Sequence, residues 1–487
     1  MTSAHQLQKQ LPRTWPVFFA RHGNFTPIQQ QAIPSILAGE NTLISAATAA
    51  GKTEAALAPL LERHLFGASK LGAGKPIGLT ILYICPTRAL VRDLYERLAH
   101  PLEFLAVSLS MKSGDTGPVS TSRPPVVLIT TPESTDSLLT RSPRLFGTLH
   151  AIVLDEIHLF DHSPRGDHLR CLLRRIDTIR AYRQKELGQE TVPPLQRIAL
   201  SATLPDPHGV AQRYLVDRDQ GKTPTLIHIP GTRQLDATLY AMVGLGDLVR
   251  ALDLRAGGGI ASRKSLVFCN TRNEVEQTAA YLREYLPFAA EVFVHYSNLD
   301  PALRRDVEDG FAAAAVAICV STSTLELGID IGSIDDIVLI GPPPTITSFL
   351  QRIGRGGRRT DRTQVLCLAR SALEEVRFHA LLALAAPSSN FSAANSAASS
   401  LPTYHFRLSV LVQQIFSMLK QSPTGGVRLA DLQRVLPEPV AEEVLRDILG
   451  NLTLLGYLQP GRLGEWRAGP TLDELLDAHE IYSNIGA

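Results

Sequence analysis

Residues 42–57 read TLISAATAAGKTEAAL, and their order decides what kind of sheet the chain builds. An apolar, strand-like run passes into a loop of small residues, then Gly51-Lys52-Thr53, then an Ala/Leu-rich helical stretch. Small residues let a backbone wrap a triphosphate, whose oxygens meet the free N–H groups at the start of the next helix. In such a loop Lys52 neutralises the outer phosphates and the Thr53 hydroxyl is a ligand of Mg²⁺, with Gly51 giving the close approach. The strict pattern has a glycine where this chain has Ala46, and Ala49-Ala50 stand directly before Gly51.

Outward from this loop the same grammar repeats. TILYICPTRALVRDLYERL is a buried strand, a polar turn with Thr87-Arg88, and an amphipathic helix. VVLITTPES ends in Thr131-Pro132-Glu133, and AIVLDEIHLF delivers Asp155 and Glu156 from a strongly apolar run. Adjacent carboxylates at a strand tip are costly without a cation or substrate. Asp155 is placed to hold Mg²⁺, and Glu156 to orient the attacking water. QRIALSATLPD presents Ser201-Ala202-Thr203, which alone says little. Upstream, GNFTPIQQQAIPSILAGE is a turn and a helix ending near Gly39, and the Gln29 amide both donates and accepts, as adenine recognition requires. Alternating strand and helix argue for an α/β domain whose ligands sit at the carboxyl ends of parallel strands.

Between residues 205 and 260 the pattern loosens into Pro, Gly and Asp-rich segments, and a domain boundary is expected near residue 230. Alternation then resumes through KSLVFCNTRNEVEQTAAYL, EVFVHYSNL, AICVSTSTLELGIDI and DDIVLIGPPPT. This second unit has no Gly-Lys-Thr. It has Gln351, Arg352, Arg355 and Arg358 on one predicted helix and its end, and guanidinium forks suit charge developing on a phosphoryl group.

The totals fit this scheme. A chain of 487 residues exceeds a single core, and length alone suggests three or four domains. With 20% charged residues, 44% hydrophobic ones and a net charge of +1, it is neither disordered nor a basic coat. Five scattered cysteines without a CxxC pair read as small buried hydrophobes in a reducing compartment. Without a signal-peptide core or a run of membrane-spanning length, a cytoplasmic protein with no membrane partner is expected.

Taken together these strings resemble the motifs of a superfamily 2 helicase, in the family's order, over roughly residues 20–370. TPIQ resembles the Q motif, AATAAGKT motif I, PTRAL motif Ia, TTPES motif Ib, DEIH motif II and SAT motif III. NTR resembles motif IV, STSTLELGID motif V and QRIGRGGR motif VI. SGDT at 113–116, DEIHLFDHSPRGDHL with Arg165-Gly166, and TSTLELGIDIG look closest to the Large helicase-related (Lhr) subgroup. Gly356-Gly357-Arg358 departs from the Ala-Gly-His more usual there.

The resemblance implies two tandem RecA-like domains with parallel sheets, 1–230 and 231–385, with ATP and Mg²⁺ between them. It implies a nucleotide site of Gln29, Gly51, Lys52, Thr53, Asp155 and Glu156 on one side, and Gly328, Asp330, Gln351, Arg355 and Arg358 on the other. Thr87, Arg88, Gly114, Thr131, Thr271, Arg272 and Thr322 carry over to the nucleic-acid strand. It further implies translocation 3′ to 5′ on single-stranded or tailed duplex DNA, in repair or genome defence. An RNA-remodelling helicase and a non-unwinding ATPase switch stay open.

Beyond an Ala/Ser/Asn linker at 386–400, residues 401–487 read as three amphipathic helices and short strands, the outline of a mainly α winged helix. Trp466 on its wing is placed to stack on an unpaired base, although an ordinary core tryptophan is favoured by about two to one. The end of the sequence is apolar, and further domains or a second subunit are expected to follow it.

Overall fold

The computed structural model describes residues 4–46, 50–67, 78–114, 116–188, 194–202, 204, 206–216, 221–229, 234–256, 263–287, 289–296, 299–326, 334–357, 362–385, 405–422 and 424–477. Thr203, Gly328, Asp330, Arg358 and the expected linker lie outside them. The chain forms two compact units, one of Met1–Ile229 with Pro402–Ala487 and one of Pro230–Leu401. The three or four domains suggested by length become two units because the C-terminal segment shares its core with the first.

The first unit is built on seven parallel strands: β1 (Thr42–Ala46), β2 (Ile81–Ile84), β3 (Leu109–Lys112), β4 (Val127–Thr130), β5 (Ala151–Leu154), β6 (Gln196–Ser201) and β7 (Thr225–Ile229). Their order is β3-β4-β2-β5-β6-β1-β7. The five inner strands are buried along their whole length. Continuous apolar runs are what a parallel sheet covered on both faces requires.

Three of these runs lead to a polar residue that caps the next helix. The Thr87, Thr131 and Ser163 side chains accept from the backbone N–H three residues on, at the heads of helices Arg88–Phe104, Pro132–Arg141 and Pro164–Glu186. A side chain that satisfies one of the orphan amides turns the chain from strand to helix at a fixed point. The carboxyl ends of the strands therefore gather these polar turns on one edge.

The second unit has six parallel strands: β8 (Gln234–Ala241), β9 (Arg263–Phe268), β10 (Glu291–His295), β11 (Val316–Ser321), β12 (Asp336–Ile340) and β13 (Arg362–Ala369), in the order β10-β11-β9-β12-β13-β8. The region read as loose from 205 to 260 is in fact structured. It holds the helix Pro207–Leu215, the edge strands β7 and β8, and the helix Leu245–Ala256. Its strands are half exposed, so they lack the uninterrupted apolar run that marks the inner ones.

Residues 405–477 form helices Leu408–Gln421, Leu429–Val435, Glu442–Leu454 and Pro470–Asp477 and an antiparallel sheet of β14 (Gly426–Arg428), β15 (Leu458–Pro460) and β16 (Glu465–Ala468). Val427 and Arg428 belong to the strand before the helix Leu429–Val435. This segment packs on the first unit through a core in which Cys171 of the helix Pro164–Glu186 meets Val410, Leu411, Ile415 and Leu432.

Ionic contacts reinforce that seam. Asp136 and His168 are fully buried and 3.0 Å apart, and the Arg175 guanidinium donates to Asp136 at 2.6 Å and to Gln414 at 3.0 Å. Ser417 also donates to Asp136. Burial alone raises a carboxyl pKa, but the hydrogen bond from His168, the Arg175 charge and Ser417 outweigh it, holding Asp136 well below its ordinary range. Arg170 pairs with Glu438, and Arg407 with Asp167 at 3.1 Å.

Candidate functional site

At the tip of β1 the chain enters a loop whose residues 47–49 are not described. Gly51 closes it in the left-handed region, at φ 82° and ψ 31°, as the residue that opens the helix Lys52–Leu61. A Cβ at Gly51 would fall on the Gln29 amide. Gln29 is buried, and its amide reaches in two directions: Oε1 accepts from Thr26 N at 2.9 Å, and Nε2 donates to Gly51 O at 3.3 Å. The Thr26 hydroxyl donates to Ala50 O at 3.0 Å. The first strut of the loop is therefore the helix Pro27–Ala38. Lys52 is buried, and its ammonium donates to Ala46 O at 2.7 Å.

Two strands across, β5 ends at Asp155. Tyr83, at the end of β2, donates its hydroxyl to Asp155 Oδ2 at 3.2 Å. Burial first, and then the Asp155 charge, push the Tyr83 pKa well up, so the phenol remains a donor. Burial and then the neighbouring Glu156 charge push Asp155 above the ordinary carboxylate range, while Lys52 pulls it down. Glu156 adopts φ 45°, a left-handed conformation rare outside glycine. Its N–H donates to Asp155 Oδ1 at 2.9 Å.

Its Oε2 is buried and, among the described residues, accepts no hydrogen bond; His158 Nδ1 lies 3.4 Å away. Burial lowers the His158 pKa, with Lys52 adding and Glu156 opposing, and Nδ1 stands 3.0 Å from the Ser201 hydroxyl at the end of β6. Motif III is thus tied to motif II through Ser201.

These features fit a nucleotide with a divalent cation. An unsatisfied buried carboxylate oxygen and a second carboxyl made reluctant to ionise are what a cation and its water relieve. Among the described residues no three of His, Cys, Asp and Glu converge as a metal site. A cation held by Thr53 and Asp155 would therefore complete its shell with phosphate and water, as Mg²⁺ does.

The strand-contact candidates sit on the same edges but are partly engaged. Thr87 and Thr131 spend their hydroxyls as caps, and Arg88 is exposed with its guanidinium against Gly114. Arg165, which the sequence marked only as a family signal, bridges two of these turns. Its Nε donates to Glu133 at 2.7 Å and a terminal nitrogen to Pro86 O at 2.7 Å, joining motifs Ia and Ib. At Gly166 a Cβ would strike the Phe160 carbonyl, so only glycine fits.

In the second unit Thr271 caps the helix Arg272–Tyr285 in a box with Glu274, and the exposed Arg272 lies 4.5 Å over the Tyr296 ring. Thr322 follows β11. Gln351 and Arg352 lie in the helix Ile346–Ile353 and Arg355 just past its end, all buried. Arg352 donates to Asn270 Oδ1 at 3.1 Å, placing motifs IV and VI side by side. Trp466 lies on the middle strand of the small sheet, half buried against the C-terminal core rather than at a free wing tip.

Two parallel-sheet domains, the first ending its strands in a phosphate loop and an Asp-Glu pair and the second carrying buried arginines past a helix, define a superfamily 2 helicase fold. The DEAD/DEAH box helicase family matches residues 26–209, and the helicase conserved C-terminal domain matches residues 253–360. The ATP-dependent helicase Lhr-Core protein 2 of Thermococcus barophilus is 32% identical over 396 residues, covering 74% of this chain and 44% of that protein. The Lhr-Core helicase of Sulfolobus acidocaldarius is 29% identical over 500 aligned positions, covering 96% and 52%. The structure of Mycobacterium smegmatis helicase Lhr bound to ssDNA and AMP-PNP superposes with a TM-score of 0.73 at 25% identity, over 95% of this chain and 61% of that one. The chain belongs to the superfamily 2 helicases, in the Lhr subgroup. It spans about half the length of the curated relatives it matches. Among the described residues no helix is long and apolar enough to cross a membrane.

Proposed function

We propose that the chain is a nucleic-acid-dependent ATPase that translocates 3′ to 5′ on single-stranded DNA and separates duplexes, in DNA repair or genome defence. The observation that carries the ATPase reading is the unsatisfied Glu156 Oε2 beside Asp155, two strand tips from Gly51-Lys52. The relative bound to ssDNA and AMP-PNP supports both ligands.

In this reading Lys52 and the amides after Gly51 bind the phosphates, Thr53 and Asp155 hold Mg²⁺, and Gln29 reads the base. When bound, Mg²⁺ and ATP supply the phosphoryl group to be cleaved and the positive charge that keeps Asp155 ionised. Glu156 holds the attacking water and takes its proton at Oε2, while His158, whose pKa burial lowers, stands beside it and links this carboxylate's surroundings to Ser201. Gly328, Asp330, Gln351, Arg355 and Arg358 complete the nucleotide site from the second unit. Thr87, Arg88, Gly114, Thr131, Thr271, Arg272 and Thr322 grip phosphates and sugars, contacts that position the strand and carry little sequence information. The helix, strand, helix, helix, strand, strand order of residues 408–468 supports a winged helix there, with Trp466 beside the strand's path.

The test is displacement of 3′- and 5′-tailed DNA, RNA and hybrid duplexes alongside ATP hydrolysis. Displacement of 3′-tailed DNA that Glu156→Gln reduces about 10²-fold or more, with nucleotide binding retained, is the expected outcome. Faster action on RNA would replace the DNA assignment, and stimulated hydrolysis without displacement would replace unwinding with a switch.

A further inference from the structure

The end of β10 carries a side chain that none of the motifs above includes. His295 is buried at 1% exposure, and both of its ring nitrogens have partners. Nε2 lies 2.9 Å from Glu308 Oε1, on the helix Pro301–Ala313, and Nδ1 lies 2.8 Å from the Thr324 hydroxyl. The His295 carbonyl accepts from Thr322 N–H at 3.3 Å. Ser321 Oγ stands 3.3 Å from Thr324 Oγ1 and donates to the Thr322 carbonyl at 3.0 Å. A single residue of an edge strand thus holds the short helical turn Ser323–Glu326 through side chain and backbone together.

The order of donors follows from chemistry. A carboxylate only accepts, so the proton on the Glu308 side sits on Nε2. In the neutral ring that leaves Nδ1 as an acceptor for the Thr324 hydroxyl. Apolar packing would need only a side chain of similar volume, whereas this chain of three groups fixes the ring's rotation and the direction of the hydroxyl. If the imidazole is removed, the half-buried Thr324 hydroxyl and Glu308 carboxylate both lose a ring nitrogen, and Thr324 keeps only its longer contacts, 3.3 Å to Ser321 Oγ and 3.5 Å to the His295 carbonyl, which do not fix its direction.

The turn has functional candidates on both sides. Thr322 before it is assigned to the nucleic-acid strand, and Gly328 and Asp330 after it to the nucleotide. We propose that His295, oriented by Glu308, is a positioning residue that holds Thr324 so that strand binding at Thr322 is transmitted to ATP turnover. This rests on the function proposed above.

The experiment is ATP hydrolysis titrated with poly-dT for wild type, His295→Ala, His295→Asn, Thr324→Val, Thr324→Ser and the double variant His295→Ala/Thr324→Val, each with a thermal melt. His295→Ala is expected to lower the poly-dT-saturated rate about tenfold and raise the half-saturating poly-dT concentration about fivefold. Its KM for ATP without poly-dT should stay within about twofold of wild type. His295→Asn, which restores an acceptor near the Nδ1 position, should recover most of the loss, and the double variant should be no worse than His295→Ala.

Wild-type stimulation in a folded His295→Ala protein, an Asn variant no better than Ala, or additive losses would overturn the proposal. Should His295→Ala fail to fold, the near-isosteric pair decides. Thr324→Val losing stimulation while Thr324→Ser keeps it supports the proposal, and equal stimulation in both removes it. A wild-type protein whose hydrolysis poly-dT does not raise, or that Lys52→Ala does not disable, overturns the function reading itself.

Discussion

Counted from its own first strand, by subtracting seven from each label, the second sheet runs 3-4-2-5-6-1, and the first runs 3-4-2-5-6-1-7. Equivalent strand ends can therefore be compared directly. After the second strand of each sheet stands a Thr-Arg pair at a helix head, Thr87-Arg88 and Thr271-Arg272, with the threonine as cap. After the fourth stand Thr131 and Thr322. Two further ends differ. Where the first sheet has Asp155-Glu156 the second has Gly341-Pro342, and where the first opens its helix with Gly51-Lys52 the second turns through Val243 and Gly244.

At that last turn Asp247 accepts from Val243 N–H at 2.7 Å and Gly244 N–H at 3.1 Å. A carboxylate of the chain occupies amides of the kind that the phosphate loop leaves for a ligand. Groups suited to hold a strand are thus repeated, while the phosphate loop and the Asp-Glu pair occur on the first sheet and the buried arginines past a helix on the second.

That division of labour is most exposed at the arginines. Arg355→Ala is expected to reduce ATP turnover about 10³-fold or more, as loss of an arginine finger does, with nucleotide affinity little changed in a fluorescent-analogue titration. Equal loss of both would mean that Arg355 only supports its own domain.

Asp136→Ala, at the seam unique to the first unit, leaves Arg175 buried without its carboxylate and should cost about 3–5 kcal/mol in urea unfolding. Because the folded Asp136 pKa is depressed, its contribution is present above the ordinary carboxylate range and is lost as the pH falls through the folded value. Asp136→Ala should therefore flatten the acid limb of stability against pH.

If the two Thr-Arg grips are equivalent, Arg88→Ala and Arg272→Ala should weaken binding to single-stranded DNA alike, each reducing the salt slope by about one phosphate contact in fluorescence anisotropy. A loss confined to Arg88 would break the equivalence. Asp247→Ala should matter least, slightly lowering the thermal melting midpoint through the lost cap and leaving ATP turnover unchanged.

Much of this pairing of the two sheets could be read in the sequence, for a physical reason. An inner strand of a parallel sheet is a bare apolar run, and its end is marked by polar turn residues, several of them helix caps, or at β1 by Gly51, so β1, β2, β4, β5, β9, β11 and β12 announce themselves. The strands β3, β7 and β8 are half exposed and alternate polar with apolar residues, which erased that signal. Lys52, Asp155 and Glu156 were legible because phosphate chemistry restricts which residues can follow such strands. The seam was not: Arg170, Arg175 and Arg180 on a helix look like a solvated face, and nothing local records that the far end of the chain covers them. His295 was likewise hidden, and Arg165 and Ser201 were marked only as motif letters, since each acts on a partner brought close only by the fold.

The second sheet is an insertion between the two parts of the first unit, so a ribosome makes all of it before Arg175 can meet Gln414. At ordinary elongation rates the 215 positions between Glu186 and Pro402 take on the order of 10–40 s. During that interval Asp136, His168 and Arg175 have water where Ser417 and Gln414 will later sit, and the first motor domain is finished last.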